Sequence, residues 1–204
     1  MMPSVRPFDP RSVPAPSLKA SLPEGTPLDV EVGCGVGLHS IRYAKSNPHR
    51  YLIAIEHTRA RYSKFERRLL NHPDVKNLQP LQANAISFIT HYLKPEKVDR
   101  YFFLYPNPYP KDSQRNKRWY AMPFMGHCLE TLKIGGSLTL ATNERYYAAE
   151  ALDYFRHQWG LELIEEQILD DSSTPRTHFE KKYLASGQPC FNLVFLKKTR
   201  TALR

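Results

Sequence analysis

From residue 28 onward, short apolar runs alternate with longer stretches that are apolar on one side only. Leu28 to Val32, Tyr51 to Ile55, Asn77 to Leu81, Tyr101 to Tyr105 and Ser137 to Thr142 have strand length and strand composition. Between them, apolar residues recur mostly at three- and four-residue spacing: Ile41, Tyr43 and Ala44; Tyr62, Phe65, Leu69 and Leu70; Phe124, Cys128, Leu129 and Leu132. An α-helix places such positions on one face, so these stretches predict one-sided helices. Alternating strands and helices predict an α/β fold with a doubly wound, mostly parallel sheet. Gly135-Gly136 reads as the left-handed close of the helix that carries Leu132. Beyond a helix over 143–158 the pattern changes. Two more strands follow, Leu161 to Ile168 and Phe191 to Lys197, which makes seven in all. A polar loop of about 20 residues joins these two, a length that in a compact domain is usually functional or disordered.

Residues 1–27 hold seven of the 17 prolines and no periodicity, so they read as an extended or partly disordered arm ahead of one domain over 28–204. The chain has 204 residues, 41% of them hydrophobic, which suits a single core. No run approaches the roughly 18 apolar residues of a membrane span, and prolines stand where a secretory signal would have its apolar core. A cytoplasmic protein with no membrane partner is the expectation. Cys34, Cys128 and Cys190 are widely spaced and form no CxxC pair, which predicts free thiols and no metal site. With 29 Lys and Arg against 20 Asp and Glu, the net charge is +9 and the pI about 9.5. That balance favours a polyphosphate partner, RNA or DNA.

Two segments carry chemistry. The first, Tyr101 to Trp119, reads YFFLYPNPYPKDSQRNKRW: an apolar strand, a proline-locked turn, then a burst of positive charge. Each proline fixes its own φ and biases its predecessor toward extended geometry, so the turn loses little entropy in holding a polar group still. In open parallel sheets ligands bind beyond the carboxyl ends of the strands, which puts Asn107 and Tyr109 at the crevice. Lys111, Arg115, Lys117 and Arg118 then place four cations beside it. The second segment is Gly33-Cys34-Gly35-Val36-Gly37, fed by the strand Leu28 to Val32 and followed by a helix. Glycines there allow positive φ and let backbone amides approach a ligand at a helix N-terminus. Glu56 ends the second strand, 25 residues after Glu31, where a carboxylate accepts both hydroxyls of a ribose. The spacing is G-x-G-x-G rather than the G-x-G-x-x-G of a pyrophosphate site, and Glu31 stands where it can meet an ammonium group. Both features favour S-adenosylmethionine over a dinucleotide.

Glu31 to Gly37, Glu56, Pro106 to Lys111, Asn116-Lys117-Arg118, Ala141-Thr142-Asn143 and Thr177 to Glu180 occur in an order and spacing that resembles the bacterial tRNA (guanine-N7)-methyltransferases. The resemblance runs from residue 28 to about residue 198, and the proline loop and the late T-x-F-E are its most specific parts. It implies a Rossmann-like, seven-stranded sheet with an antiparallel C-terminal strand, S-adenosylmethionine as cofactor and tRNA as partner of a monomer or homodimer. It further implies that Glu31, Gly33, Gly35, Gly37, Glu56, Asn84 and Asn107 line the cofactor site. Lys111, Asn143, Thr177, Phe179 and Glu180 would bind the target guanosine, with Arg115, Lys117 and Arg118 gripping phosphates. Asn84, Asn107 and Asn143 depart from the pattern, which has aspartate at all three. Guanine N7 offers an in-plane lone pair and carries no proton, so the reaction needs alignment rather than a general base. A slow enzyme is therefore expected. Two other readings stay open: an N-methyltransferase of exocyclic amines, suggested by Asn107-Pro108-Tyr109, and an inactive RNA-binding paralogue. An NAD dehydrogenase fits less well, because no Y-x-x-x-K pair follows the glycine loop.

Overall fold

In strand β4 (Val98–Leu104), Tyr101 and Phe103 join one apolar cluster and Phe102 and Leu104 another, so the strand is covered on both faces. A strand covered in this way reads as a continuous apolar run, the signal that marked it in the chain. The structure, a computed structural model, describes residues 5–18, 20 and 22–199. Each expected strand is present. Strands β1 (Leu28–Val32), β2 (Tyr51–Glu56), β3 (Leu78–Gln82), β5 (Leu132–Thr142), β6 (Glu162–Leu169) and β7 (Cys190–Leu196) complete a seven-stranded sheet ordered β3-β2-β1-β4-β5-β7-β6. All neighbouring pairs are parallel except those of β7, which runs antiparallel to both β5 and β6. The chain winds outward from β1 to β3, then returns to the other side of β1 with β4. Such a reversal opens a crevice at the carboxyl ends of β1 and β4.

Helices α1 (Leu38–Ser46) and α2 (Arg59–Leu69) bury Ile41, Ala44 and Phe65 against Phe102 and Leu104. On the other face, α3 (Ala85–Tyr92), α4 (Phe124–Thr131) and α5 (Arg145–Asp153) bury Phe88, Phe124 and Tyr147 with Tyr101 and Phe103. Each fully buried aromatic contributes roughly 1.5 to 3 kcal/mol of transfer free energy, which makes this larger cluster the main stabilising unit. The described part of the N-terminal arm holds a short 3-10 turn at Pro10–Ser12 and is seated on that face. Phe8 lies 5.5 Å from Phe124, ring to ring, and the Tyr92 hydroxyl donates to the Leu18 carbonyl.

Two expectations need correction. Gly135-Gly136 does not close a helix: α4 ends at Thr131, and the glycines lie inside β5. Gly135 N–H donates to Lys197 O at 2.8 Å, and Lys197 N–H to Gly136 O at 2.9 Å. A Cβ on Gly136 would stand 2.9 Å from Asp99 O, so glycine there permits close strand approach beside a register shift at Val98/Arg100. The long polar connection is also not structureless. It contains α6 (His178–Ala185), capped by Thr177, whose Oγ1 accepts from Glu180 N–H at 3.0 Å. The T-x-x-E spacing of Thr177 and Glu180 is a helix-start signal that the reading as a loop overlooked.

Candidate active site

The glycine loop folds back over β2: the Gly33 and Cys34 amides donate to Ile55 O at 2.8 and 3.0 Å. Gly33 and Gly35 have φ of +77° and +60°, and a Cβ built on either meets nothing within 4 Å. Their backbone therefore borders open space that a ligand can enter closely. Gly37 differs, because a Cβ there would stand 2.0 Å from the Phe65 ring. It serves helix packing. Glu56 is buried, with Oε2 accepting from Gly35 N–H at 2.9 Å and Oε1 from Thr58 N–H at 2.7 Å. The buried Glu31 carboxylate accepts from the Ser40 hydroxyl at 2.6 Å and lies 3.1 Å from His39 Nδ1. Burial first, then Glu31 and Glu56, hold the Cys34 thiol well above its ordinary pKa, so it stays protonated. Asn84 caps α3, its Oδ1 accepting from Ile86 N–H at 2.9 Å. Asn84→Ala is expected to lose about 1 kcal/mol of stability to the orphaned amide, measurable by denaturant unfolding.

The proline loop is held from beneath. Asn107 Oδ1 accepts from Tyr109 N–H at 3.1 Å in an Asx turn. Tyr105 and Tyr109 adopt φ of +54° and +46°, rare for residues with a Cβ, so the surroundings must over-determine the bend. Arg118 does so. Its Nη2 and Nε donate to Tyr109 O at 2.9 and 3.2 Å, and its Nη1 to Glu150 Oε2 at 2.5 Å. The guanidinium carbon stands 5.2 Å from the Tyr146 ring centroid, and the Tyr146 hydroxyl donates to Pro108 O at 3.2 Å. The Arg118 side chain is only 1% exposed, which corrects its reading as a phosphate grip: all three of its hydrogen bonds go to partners inside the protein.

Glu180 needs a similar correction. At 0% exposure it binds Arg176 through several hydrogen bonds, one of 2.7 Å from Nη2, and accepts from the Tyr105 hydroxyl at 2.7 Å. Burial alone would raise this carboxyl, but Arg176 outweighs it and brings it below its ordinary value. Burial, then Cys190 and Glu180, push the Tyr105 phenol far upward, so it remains a donor. Glu180 thus links α6 to the end of β4 rather than facing a substrate. Phe179, next to it, is 41% exposed. Asn143 Nδ2 donates to Glu144 at 3.2 Å and to Gln188 at 3.4 Å.

A cavity of about 720 Å3 opens at the carboxyl edge, bordered by Gly33, Glu56, Asn84, Asn107, Lys117, Asn143 and Phe179. That volume lies within the range of sites for small ligands. A second cavity of about 380 Å3 adjoins it and is bordered by Glu31, Gly33, Gly35, Thr177 and Phe179. Gly37, Lys111, Arg115, Arg118 and Glu180 border neither; Lys111 and Arg115 are exposed on the approach, and Arg115 stands 3.6 Å from Glu150. Residues that the chain pattern did not single out also contribute. Arg61 borders both cavities, while Met122 and the start of α3 at Ala85 and Ile86 wall the larger one. Arg61 had a weak signal, since α2 is rich in cations, but nothing local says which of them face inward. Trp119 also lines the larger cavity, although its ring packs on Phe103 at 5.3 Å. Among the described residues there is no cluster of His, Cys, Asp and Glu suited to a metal ion, and no helix long and apolar enough to cross a membrane.

Residues 25–193 match the Methyltransf_4 family model, described as "Putative methyltransferase". The tRNA (guanine-N(7)-)-methyltransferase of Chlamydia caviae is 30% identical over 187 residues, covering 90% of this chain and 82% of that protein. The protein of the same name from Burkholderia lata is 26% identical, covering 90% and 72%. Among solved structures, the 16S rRNA methyltransferase KamB aligns with a TM-score of 0.62 at 17% identity, over 84% of this chain and 88% of that one. A 16S rRNA (adenine(1408)-N(1))-methyltransferase from Catenulisporales acidiphilia aligns equally well, at 14% identity over 85% and 86%. At such identities the structural likeness speaks for the fold.

Proposed function

Because this chain belongs to the tRNA (guanine-N(7)-)-methyltransferase family, we propose that it methylates N7 of a guanosine in tRNA, and that it does so slowly. The observation that carries the reading is the convergence of the glycine loop, Glu56 and Asn107 on one cavity at the strand-order reversal. The residues present fit S-adenosylmethionine. The open space over Gly33 and Gly35 accepts a ligand against backbone amides, and Glu56 stands at the edge of β2 with lone pairs beyond those bonded to Gly35 and Thr58. Glu31, Gly33, Gly35, Glu56 and Asn84 would hold the cofactor, which supplies an electrophilic methyl group when bound. The protein's own task is alignment. A base with a free N7 lone pair needs no proton removed, so no histidine is required as a base. Holding the two reactants in line accounts for on the order of 7 kcal/mol or more of a rate enhancement. Asn107 sits on a loop fixed by three prolines and by Arg118, which suits that task. Its side chain is an amide, however, and brings no negative charge to a purine ring that becomes positive as it is methylated.

The test is to incubate the protein with labelled S-adenosylmethionine and unmodified tRNA, digest the RNA and identify nucleosides by mass spectrometry. The expected product is 7-methylguanosine. A methylated exocyclic amine would replace this reading with the other N-methyltransferase, and absence of cofactor binding by calorimetry at millimolar concentration would sink both.

A further inference from the structure

Helix α2 carries five cations, Arg59, Arg61, Lys64, Arg67 and Arg68, against one acid, Glu66. Arg61, Lys64 and Arg68 stand at spacings of three and four residues, share one helix face and border the smaller cavity together with Thr177, His178 and Phe179. Arg42 on α1 reaches Pro175 O, just ahead of Thr177, and Lys181 stands one turn after His178 on α6, so both join the cluster; burial first, then Arg68, Lys181 and Arg42, hold His178 below its ordinary pKa. Among the described residues none of Arg42, Arg61, Lys64, Arg68 and Lys181 lies within ion-pair distance of a carboxylate. Elsewhere, Lys45 pairs with Asp74, Lys133 with Asp99 and Lys198 with Glu162. Three of the cluster are nonetheless held in place. Arg42 donates to Pro175 O at 2.7 Å, Arg68 to Val36 O at 3.0 Å, and Arg61 stands 5.9 Å from the Phe179 ring centroid. These partners orient the charges without neutralising them, and like charges gathered this way carry a repulsive cost that a bound polyanion would offset.

We propose that this cluster is a second binding site for the RNA backbone, resting on the methyltransferase reading and lying across the sheet from Lys111, Arg115 and Lys117. Helices α1 and α2 cover the face of Phe102 and Leu104. The basic segment after the proline loop leads instead into Trp119, which packs on Phe103 of the opposite face. One cation of each set, Arg61 and Lys117, borders the larger cavity, and RNA that delivers a base into it passes between them. From Arg61 to Arg68 the helix advances about 10 Å, more than the rise between successive phosphates of one strand, which suits a polymer better than a single anion.

The experiment compares Lys64→Ala/Lys181→Ala with a control of equal charge, Lys45→Ala/Lys198→Ala, in filter binding of unmodified tRNA across a salt series. Loss of two phosphate contacts is expected to flatten the slope of log affinity against log salt by about 1.4 to 1.8 and to weaken binding on the order of 10-fold near 0.1 M salt. Equal slopes and affinities in the two double variants would overturn the proposal. Loss of S-adenosylmethionine affinity with tRNA affinity unchanged would also overturn it, by assigning the cluster to the cofactor. Filter binding needs no methyl transfer, so failure of the methylation reading, seen as absence of 7-methylguanosine with the unaltered protein, is distinguishable from failure of this one.

Discussion

Arg118→Met is expected to lower stability by about 1 to 3 kcal/mol, less than the full cost of breaking a buried ion pair, because Glu150 is 28% exposed and keeps Arg115 at 3.6 Å. For a domain of this size that corresponds to roughly 2 to 12 °C in Tm, read by calorimetry or circular dichroism. The physical reason lies in what is left behind. Glu150 would keep only the more distant Arg115 at 3.6 Å as a cationic partner, and the Tyr109 carbonyl would lose the two hydrogen bonds from Arg118. Tyr120 still donates to Glu150 at 2.8 Å, but one hydroxyl does not replace a cation. Arg118→Lys is expected to recover little, since a single ammonium cannot reach the carbonyl, the carboxylate and the Tyr146 ring together. Removing both charges, as Arg118→Met/Glu150→Leu, is expected to be milder than Arg118→Met alone, because no half-buried carboxylate is left with a weakened partner. If Arg118→Met melts within a degree or two of the unaltered protein, the bracket beneath the proline loop is not a stabilising element.

Asn107→Asp is expected to raise kcat by about 5 to 150-fold, equivalent to roughly 1 to 3 kcal/mol of transition-state stabilisation. A carboxylate keeps the acceptor that receives Tyr109 N–H, so the Asx turn and the loop shape should survive the change. What it adds is charge, next to a base that turns cationic during methyl transfer, and a stronger acceptor for ring N–H groups. Single-turnover rates with saturating tRNA and cofactor separate this from changes in binding. A rate unchanged within twofold would mean that charge at position 107 does not limit turnover.

Much of the site was legible because its signals are local. The glycine loop and Glu56 follow from strand ends and turn chemistry within a few residues, and Gly33, Gly35 and Glu56 border the cavities. The need for glycine at position 37 has a reason no pattern carries, since a Cβ there would meet the Phe65 ring of another helix. Helix α6 was missed although Thr177 and Glu180 spell a start signal, because its polar surface hides the 3.6-residue period that marks longer helices.

By itself, the order of apolar runs and turn residues determined the seven strands, the alternation with helices and the segments that gather at the carboxyl edge. Only the tertiary structure decided which charges are available there. Arg118 and Lys117 are neighbours in the chain, yet Arg118 is buried against Glu150, 32 residues away, while Lys117 borders the larger cavity. Glu180 likewise turns inward to Arg176 and Tyr105, 75 residues apart in the case of the tyrosine, and Arg61 turns toward both cavities. Backbone periodicity is a property of neighbours along the chain, whereas the fate of a charged side chain depends on whichever distant partner folding brings within hydrogen-bond reach.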